Sequence, residues 1–283
     1  MEKPAIGIIG MGFLGSAVAH GFGHVANIKI YDKYNNIYDS LEETVNSSRY
    51  LFLGVPTPMN DDGSQDLSSV DDAIKSIDEV ATSRKVIIIK TTILPGTCAL
   101  YSALYPAHDI IHNPEFLTER RAKLEFINAP RIILGGDDHV TKEVEDLYRI
   151  RFKHTPIYRT TWEGAEIAKY MANCFFACKV IFMNEMYDIA DWLDVPYEDL
   201  QSMLLASGWV NPMHTDVPGH DGKRGYGGKC FPKDVKALIE WAGRQGLSVE
   251  MCKAADKVNE KIREEKDWLN IKGATSKNDY KSK

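Results

Sequence analysis

Short apolar runs separated by amphipathic stretches pattern the first 160 residues. Ala5-Ile6-Gly7-Ile8-Ile9, Asn27-Ile28-Lys29-Ile30-Tyr31 and Tyr50-Leu51-Phe52-Leu53-Gly54-Val55 each read as a strand. So do Lys85-Val86-Ile87-Ile88-Ile89-Lys90, Ile110-Ile111-His112 and Arg131-Ile132-Ile133-Leu134-Gly135. Helix-period stretches such as Val70–Ala81 lie between them. Near-continuous apolar strands alternating with helices predict an α/β fold whose parallel sheet is covered on both faces. The pattern then changes. A helix from Glu163 to about Trp192 is mostly apolar and is expected to be buried, and helices are also expected over Asp191–Leu205, Asp234–Gly243 and Val249 to about Leu269. From Lys272 the chain is too polar to pack and is expected to fray. The predicted organisation is a doubly wound sheet domain over 1–158, an all-α central domain with a long helix over 159–270, and a polar tail over 271–283.

The first strand runs into Gly10-Met11-Gly12-Phe13-Leu14-Gly15, which opens a helix, and the second strand ends at Asp32, 22 residues beyond Gly10. A lone glycine pattern means little, but strand, loop, helix and acid in this order make a Rossmann-type dinucleotide unit. Gly10 permits the tight turn, Gly12 lets backbone approach a pyrophosphate, and Gly15 permits close helix–strand packing. The phosphates sit against the helix amides, with Phe13 and Leu14 in that first turn. Asp32 accepts from ribose hydroxyls and repels a 2′-phosphate, favouring NAD over NADP. Lys33 either softens that preference or is simply solvated.

Three polar motifs fall at strand ends, where ligands gather in such sheets. They are Val55-Pro56-Thr57-Pro58, Lys90-Thr91-Thr92-Ile93-Leu94-Pro95-Gly96-Thr97 and Asn113-Pro114-Glu115-Phe116-Leu117-Thr118-Glu119. Any one of them makes a turn; together they line a cleft. On the long helix, Lys169 and Asn173 are four apart and share a face. They either point an amine and an amide at a reacting oxygen, or Lys169 pairs with Glu166 one turn back. Further on, Gly225-Tyr226-Gly227-Gly228-Lys229-Cys230-Phe231-Pro232-Lys233-Asp234 sets a cysteine where a glycine loop gives way to a helix that opens with proline. A thiol there feels the positive end of the helix and two neighbouring lysines, which is how a nucleophilic cysteine is built. The alternative is a glycine loop around a buried cysteine. Lys223 and Arg224 either meet phosphate or are surface charges.

Composition narrows the partners. Lys+Arg 34 against Asp+Glu 40 gives a net charge of −6, so there is no global basic field for nucleic acid or anionic lipid. No apolar run approaches the roughly 20 residues of a membrane span, and the N-terminus lacks the features of a signal peptide. Five cysteines at irregular spacing suggest a reducing compartment, hence a cytoplasmic protein. Cys174 and Cys178 have no neighbouring histidine and read as core, so no metal site is expected.

With these motifs in hand, the chain resembles the UDP-glucose/GDP-mannose dehydrogenase family, and within it the UDP-glucose-oxidising members, from Gly7 to about Asn259. The resemblance implies NAD as cofactor, a nucleotide sugar as substrate, and a four-electron oxidation of UDP-glucose to UDP-glucuronate that feeds polysaccharide biosynthesis. It implies that Cys230 attacks the C6 aldehyde and carries a thioester after the second hydride transfer. Lys169 and Asn173 match residues that stabilise the oxyanion, Asp234 the acid acting with that lysine and a water, and Thr92 and Glu115 the pair that position water or take a proton, with Glu119 close by. Gly10, Gly12, Phe13, Leu14, Gly15, Asp32, Lys33, Val55, Pro56, Thr57, Thr92 and Glu119 match cofactor contacts. Phe116, Leu117, Lys169, Asn173, Arg224, Tyr226, Gly227 and Gly228 match substrate contacts. A homodimer through the central helices is also implied.

Two departures stand out. The family's Lys-Ser-Thr-Val-Pro-Val-Gly-Thr pattern appears as Lys-Thr-Thr-Ile-Leu-Pro-Gly-Thr, with the proline displaced by one. The sequence also stops where a third, UDP-covering domain is expected, as in a short form. Competing readings are a dehydrogenase of GDP-mannose or UDP-N-acetylmannosamine, a single-step β-hydroxyacid dehydrogenase, and a non-catalytic NAD-binding module.

Overall fold

The computed structural model describes residues 3–278. Its contacts divide the chain into two compact units, Met1–Thr57 with Leu67–Lys169, and Pro58–Asp66 with Tyr170–Lys283. The division falls inside one long helix.

The first unit runs β1 (Ala5–Ile9), α1 (Phe13–Phe22), β2 (Asn27–Tyr31), α2 (Leu41–Asn46), β3 (Tyr50–Leu53), α3 (Ser68–Val80), β4 (Val86–Ile89), α4 (Thr97–Leu104), β5 (Asp109–His112), α5 (Ala122–Ile127), β6 (Ile132–Gly135), α6 (Asp138–Arg151) and β7 (Ile157–Thr160). The seven strands form one sheet in the order β2-β1-β3-β4-β5-β6-β7. Strands β1 to β5 pair in parallel, as the apolar runs predict. The pattern shows its period of two along β4, where Val86 and Ile88 enter one core and Ile87 and Ile89 the other. One face packs α1 and α6 through an aromatic cluster around Phe22, whose ring meets those of Phe52, Phe126, Tyr148 and Phe152. The other packs Val70, Ile74 and Ile77 of α3.

One expectation needs correction here. β6 runs antiparallel to β5, joined at His112 and Gly135, so the sheet is mostly rather than wholly parallel. A parallel return requires a crossover that carries the chain back to the strand's starting edge. The link after β5 holds the 3-10 turn Glu119–Arg121 and the six-residue α5, and β6 enters from the edge where β5 ends. β7, largely exposed and parallel to β6, has no apolar run to announce it.

The long helix α7 (Trp162–Trp192) spans 31 residues. In the second unit it is followed by α8 (Tyr197–Ala206), α9 (Phe231–Arg244) and α10 (Glu250–Ile262). α8 begins after Pro196 rather than at Asp191, and α10 stops at Ile262, with only a single 3-10 turn at Asp267–Leu269. α9 and α10 are tied by Lys236, whose Nζ lies 2.8 Å from Asp256 and 3.0 Å from Glu260. The apolar residues of α7 are not all buried, as had been expected: Met171 is 65%, Phe175 62%, Phe182 52% and Ile189 50% exposed. Fraying from Lys272 does not hold for residues 272–278. Ala274 is buried with Met59 and Trp268, Met59 N–H donates to Ala274 O at 3.0 Å, and Ser276 N–H donates to Met59 O at 2.9 Å. The rest of the expected tail, 279–283, lies outside the described residues. Among the described residues no helix is long and apolar enough to cross a membrane, and no group of His, Cys, Asp or Glu is arranged to hold a metal ion.

Candidate active site

The glycine loop between β1 and α1 shows a separate reason for each glycine. Gly10 has φ +91°, which L side chains rarely adopt. A Cβ on Gly15 would stand 2.1 Å from Gly10 O, so no side chain fits. A Cβ on Gly12 would meet nothing within 4 Å, so that side of the loop is open. The Asp32 carboxylate accepts from Met11 N–H at 2.7 Å and from Tyr34 N–H at 2.9 Å, tying the end of β2 to the loop. Lys33 lies 3.5 Å from Asp72, both exposed, a pair worth about 0–1 kcal/mol. Phe13 and Ser16 in the first turns of α1 line a cavity of about 470 Å³ whose opposite wall includes Glu119, Arg120 and Arg121. Leu14 points into the core. Val55 and Pro56 are half-buried, and buried Thr57 donates to Thr92 O at 3.1 Å, joining the ends of β3 and β4. Thr92 is itself buried.

The third strand-end motif meets α7. Lys169 and Glu115 form a buried ion pair at 3.2 Å, their side chains only 4% and 5% exposed. The second Glu115 oxygen accepts from Leu117 N–H, so the carboxylate is held at both ends. Phe116 lies below two cations, with Arg131 4.1 Å and Lys169 5.3 Å from its ring centre. The partner of Lys169 is Glu115. Glu166 does not pair with it, but accepts from Gly96 N–H at 2.7 Å and Cys98 N–H at 2.8 Å, at the start of α4. Its burial raises its pKa, against the pull of those two amides. Glu119 is exposed in the 3-10 turn Glu119–Arg121, on the cavity wall beside α1.

The second unit builds the cysteine. Cys230 is the N-cap residue of α9, and Pro232 sits in its first turn. Asp234, one turn on, is 1% exposed; Asn173 Nδ2 donates to its Oδ2 at 2.6 Å and Lys233 pairs with its Oδ1. The glycine loop before Cys230 is clamped to the end of α10. Asn259 accepts from Tyr226 N–H at 2.7 Å and donates to Tyr226 O at 3.0 Å. Asp267 accepts from Gly228 N–H at 3.0 Å, and buried Arg263 pairs with both Asp267 and Asp221. A Cβ on Gly225 would stand 2.4 Å from Asn259 Oδ1, and one on Gly227 2.3 Å from the Arg263 guanidinium. Gly228, at φ +74°, is open on its outer side. Arg224 is engaged by Asp188 at 2.7 Å and by Asn184, while Lys223 pairs with Glu265. Asn259, Arg263 and Asp267 carry this scaffold, and none stood out in the sequence.

None of the five cysteines is in a disulfide. Contact with Cys252 and burial push the Cys178 thiol well up, and contact with Cys174 raises Cys252 to about 11, so these thiols are poor nucleophiles.

Comparison with known proteins agrees with this division of labour. Residues 24–152 match the UDP-glucose/GDP-mannose dehydrogenase family, NAD binding domain, and residues 163–261 match the central domain of the same family. The UDP-glucose 6-dehydrogenase YwqF of Bacillus subtilis (strain 168) is 32% identical over 232 residues, covering 79% of this chain and 51% of that one. The chain spans about half the length of the curated relatives it matches. Among solved structures, a UDP-glucose dehydrogenase from the hyperthermophilic archaeon Pyrobaculum islandicum superposes with a TM-score of 0.81 at 25% identity, covering 92% of this chain and 68% of that one. A UDP-D-ManNAc dehydrogenase from Pyrococcus horikoshii shares the fold, with a TM-score of 0.79 at 23% identity over 91% of this chain and 68% of that one. A glycine loop that admits no side chain at Gly15, and a cysteine capping a helix one turn before a buried aspartate, thus lie in a chain matched along both units by one family's two domains: the protein belongs to the UDP-glucose/GDP-mannose dehydrogenase family.

Proposed function

We propose that this chain catalyses the NAD-dependent four-electron oxidation of UDP-glucose to UDP-glucuronate through a thiohemiacetal and then a thioester on Cys230. The observation that carries the reading is the placement of Cys230 at the head of α9, with Asp234 buried one turn behind it and hydrogen-bonded to Asn173. The positive end of a helix favours negative charge on the residue that caps it.

The first unit fits NAD. Gly12 leaves the loop open for close approach and caps the N-terminus of α1, and Arg120 and Arg121 border the adjoining cavity. When bound, NAD supplies the hydride acceptor for each of the two oxidations. In the first, the C6 hydroxyl loses its proton to Asp234 through water beside Lys169. The Cys230 sulfur then adds to the aldehyde carbon, and the Lys169 ammonium and Asn173 amide stabilise the negative oxygen. Loss of the second hydride leaves a thioester. Water positioned by Thr92 and deprotonated by Glu115 attacks it, the C–S bond breaks, and the carboxylate leaves with Cys230 regenerated. Glu119, Phe116, Leu117, Tyr226, Gly227 and Gly228 are assigned to cofactor and sugar contacts. Arg224 and Lys33 are already engaged by carboxylates and contribute less.

Met171, Phe175, Phe182 and Ile189 recur along α7 as an exposed apolar stripe, which supports a homodimer through the central helices. Five cysteines outside any disulfide support a cytoplasmic setting.

The test is stoichiometric. Chain, NAD and UDP-glucose should yield about two NADH per sugar, and Cys230→Ser should accumulate no UDP-glucuronate. One NADH per sugar favours a single-step dehydrogenase. NAD binding without turnover on UDP-glucose, GDP-mannose or UDP-N-acetylmannosamine favours a non-catalytic module.

A further inference from the structure

Between α8 and α9 the backbone takes a left-handed turn at His214, where φ is +64°. Few non-glycine residues adopt this conformation, and it persists where surrounding contacts over-determine it. Here those contacts come from two helices. On α7, Lys179 Nζ donates to Asn211 O and, at 2.7 Å, to Met213 O. On α8, Tyr197 Oη donates to Thr215 O at 2.7 Å, and Gln201 Nε2 donates to Thr215 Oγ1 and to Asp216 Oδ1, each at 2.8 Å. Thr215 is fully buried, and its hydroxyl donates to Pro212 O at 2.8 Å. The chain is thus fixed on either side of His214, and the His214 side chain makes none of these bonds.

Its ring instead completes a triangle with two others. Phe176, on the same face of α7 as Lys179, lies 4.9 Å away between ring centres, and Phe231 lies 5.2 Å away. Phe176 and Phe231 are themselves 6.5 Å apart. Interplanar angles of 47° and 64° about the imidazole are the tilted and edge-on arrangements in which aromatic rings attract. Burial lowers the pKa of His214, and the charges of Lys179 and His220 act the same way, so the imidazole packs as a neutral ring near neutrality.

Phe231 is the first residue of α9 and directly follows Cys230. Tyr226 also meets its ring edge-on, at 6.3 Å. The first turn of a helix lacks the internal hydrogen bonds that hold its middle, and it frays unless other contacts secure it. On the other side of Cys230 stands Gly228, at φ +74° with open space beside it. Ring packing on Phe231 therefore bears on the turn that aims the thiol.

We propose that His214 is a positioning residue for Cys230: its ring holds Phe231, and with it the first turn of α9, so that the thiol stays at the positive end of the helix. The effect on turnover rests on the proposed function, while the effect on the thiol does not.

The experiment alkylates the native chain with iodoacetamide and follows each cysteine by peptide mass spectrometry, in wild type, His214→Asn and His214→Phe. Asparagine tolerates the left-handed backbone but removes the ring, and phenylalanine restores it. His214→Asn should slow alkylation of Cys230 about tenfold, as the thiol loses the favourable end of the helix. His214→Phe should recover most of the wild-type rate. Cys174, Cys178 and Cys252 should keep their rates, whereas a merely structural loss would open the unit and quicken them all. With NAD and UDP-glucose, kcat for NADH formation should fall in His214→Asn while KM for NAD holds. Should a variant at 214 fold poorly, Phe176→Leu leaves the loop whole and should slow Cys230 in the same direction. A Cys230 that reacts as fast as wild type, or faster, in His214→Asn or in Phe176→Leu overturns the inference. So does a folded His214→Phe chain that stays as slow as His214→Asn. An unchanged kcat beside a slowed thiol overturns the role in turnover. A wild type inactive on every nucleotide sugar, with Cys230 still tracking the ring at 214, overturns the proposed reaction and upholds the inference.

Discussion

Raising the pH should stabilise the wild-type chain more than the Lys90→Met variant, because Lys90 is buried where its proton is poorly held. An unfolded lysine titrates near 10.4, whereas in the folded chain desolvation brings Lys90 to about 7. Between those values the unfolded chain binds the additional proton, so stability rises with pH. Where the unfolded lysine is protonated and the folded one is not, the slope is about 1.4 kcal/mol per pH unit. Lys90 is half-protonated near pH 7, so the slope starts at half that value and reaches most of it by pH 8. Integrated from pH 7 to 9, Lys90 contributes about 2 kcal/mol of added stability. Below pH 7 its contribution levels off at the destabilised limit, since both states then hold the proton. The assay is urea unfolding at pH 7, 8 and 9 with a reductant present, for wild type and Lys90→Met. Other titrating groups are common to both chains and cancel in the difference. Wild type should gain about 2 kcal/mol more than the variant across that range. Equal gains, or a larger gain in the variant, would refute the burial argument.

Other substitutions separate the remaining parts. Gly15→Ala sets a methyl 2.1 Å from Gly10 O and should cost about 3 kcal/mol of stability by thermal unfolding. Gly12→Ala, which meets no atom, should change stability by less than about 1 kcal/mol yet weaken NAD binding about tenfold in a fluorescence titration. Glu166→Ala removes the acceptor of Gly96 and Cys98 N–H and should cost about 3 kcal/mol, read as a lowered urea midpoint. Asn259→Ala strips Tyr226 of both backbone partners; hydrogen exchange at the Tyr226 amide should accelerate, and kcat should fall while NAD affinity holds. If the proposed homodimer forms, Phe175→Glu with Phe182→Glu should convert it to a monomer in light scattering, with the far-UV spectrum unchanged.

How legible each feature was depended on how far its cause lies along the chain. The glycine loop could be read because its constraints are local: Gly15 must lack a side chain on account of Gly10, five residues away. The strands could be read because β4 is apolar on both faces, but an apolar run carries no direction, so the reversal of β6 was hidden in the sequence. The partner of Lys169 was undecided because Glu166 lies within reach on the same helix. The choice is made by Gly96 and Cys98, whose amides occupy Glu166 some 70 residues back in the chain, and by Glu115, which is thereby left to the lysine. The tail was misread for the same reason, since polar Lys272–Thr275 is held by Met59, more than 200 residues earlier.

The cysteine loop shows where local reading ends. Its glycines announce that something approaches closely, and ligand and scaffold leave the same mark in a sequence. The structure separates them: Gly225 and Gly227 are filled by Asn259 and Arg263, while Gly228 faces open space. Two of the three glycines therefore answer to packing within the second unit. Gly228, two residues before Cys230, keeps a side open for a substrate to approach but also holds a φ of +74°, so Gly228→Ala is expected both to strain the loop and to impair binding of the sugar while the clamp on Tyr226 stays intact.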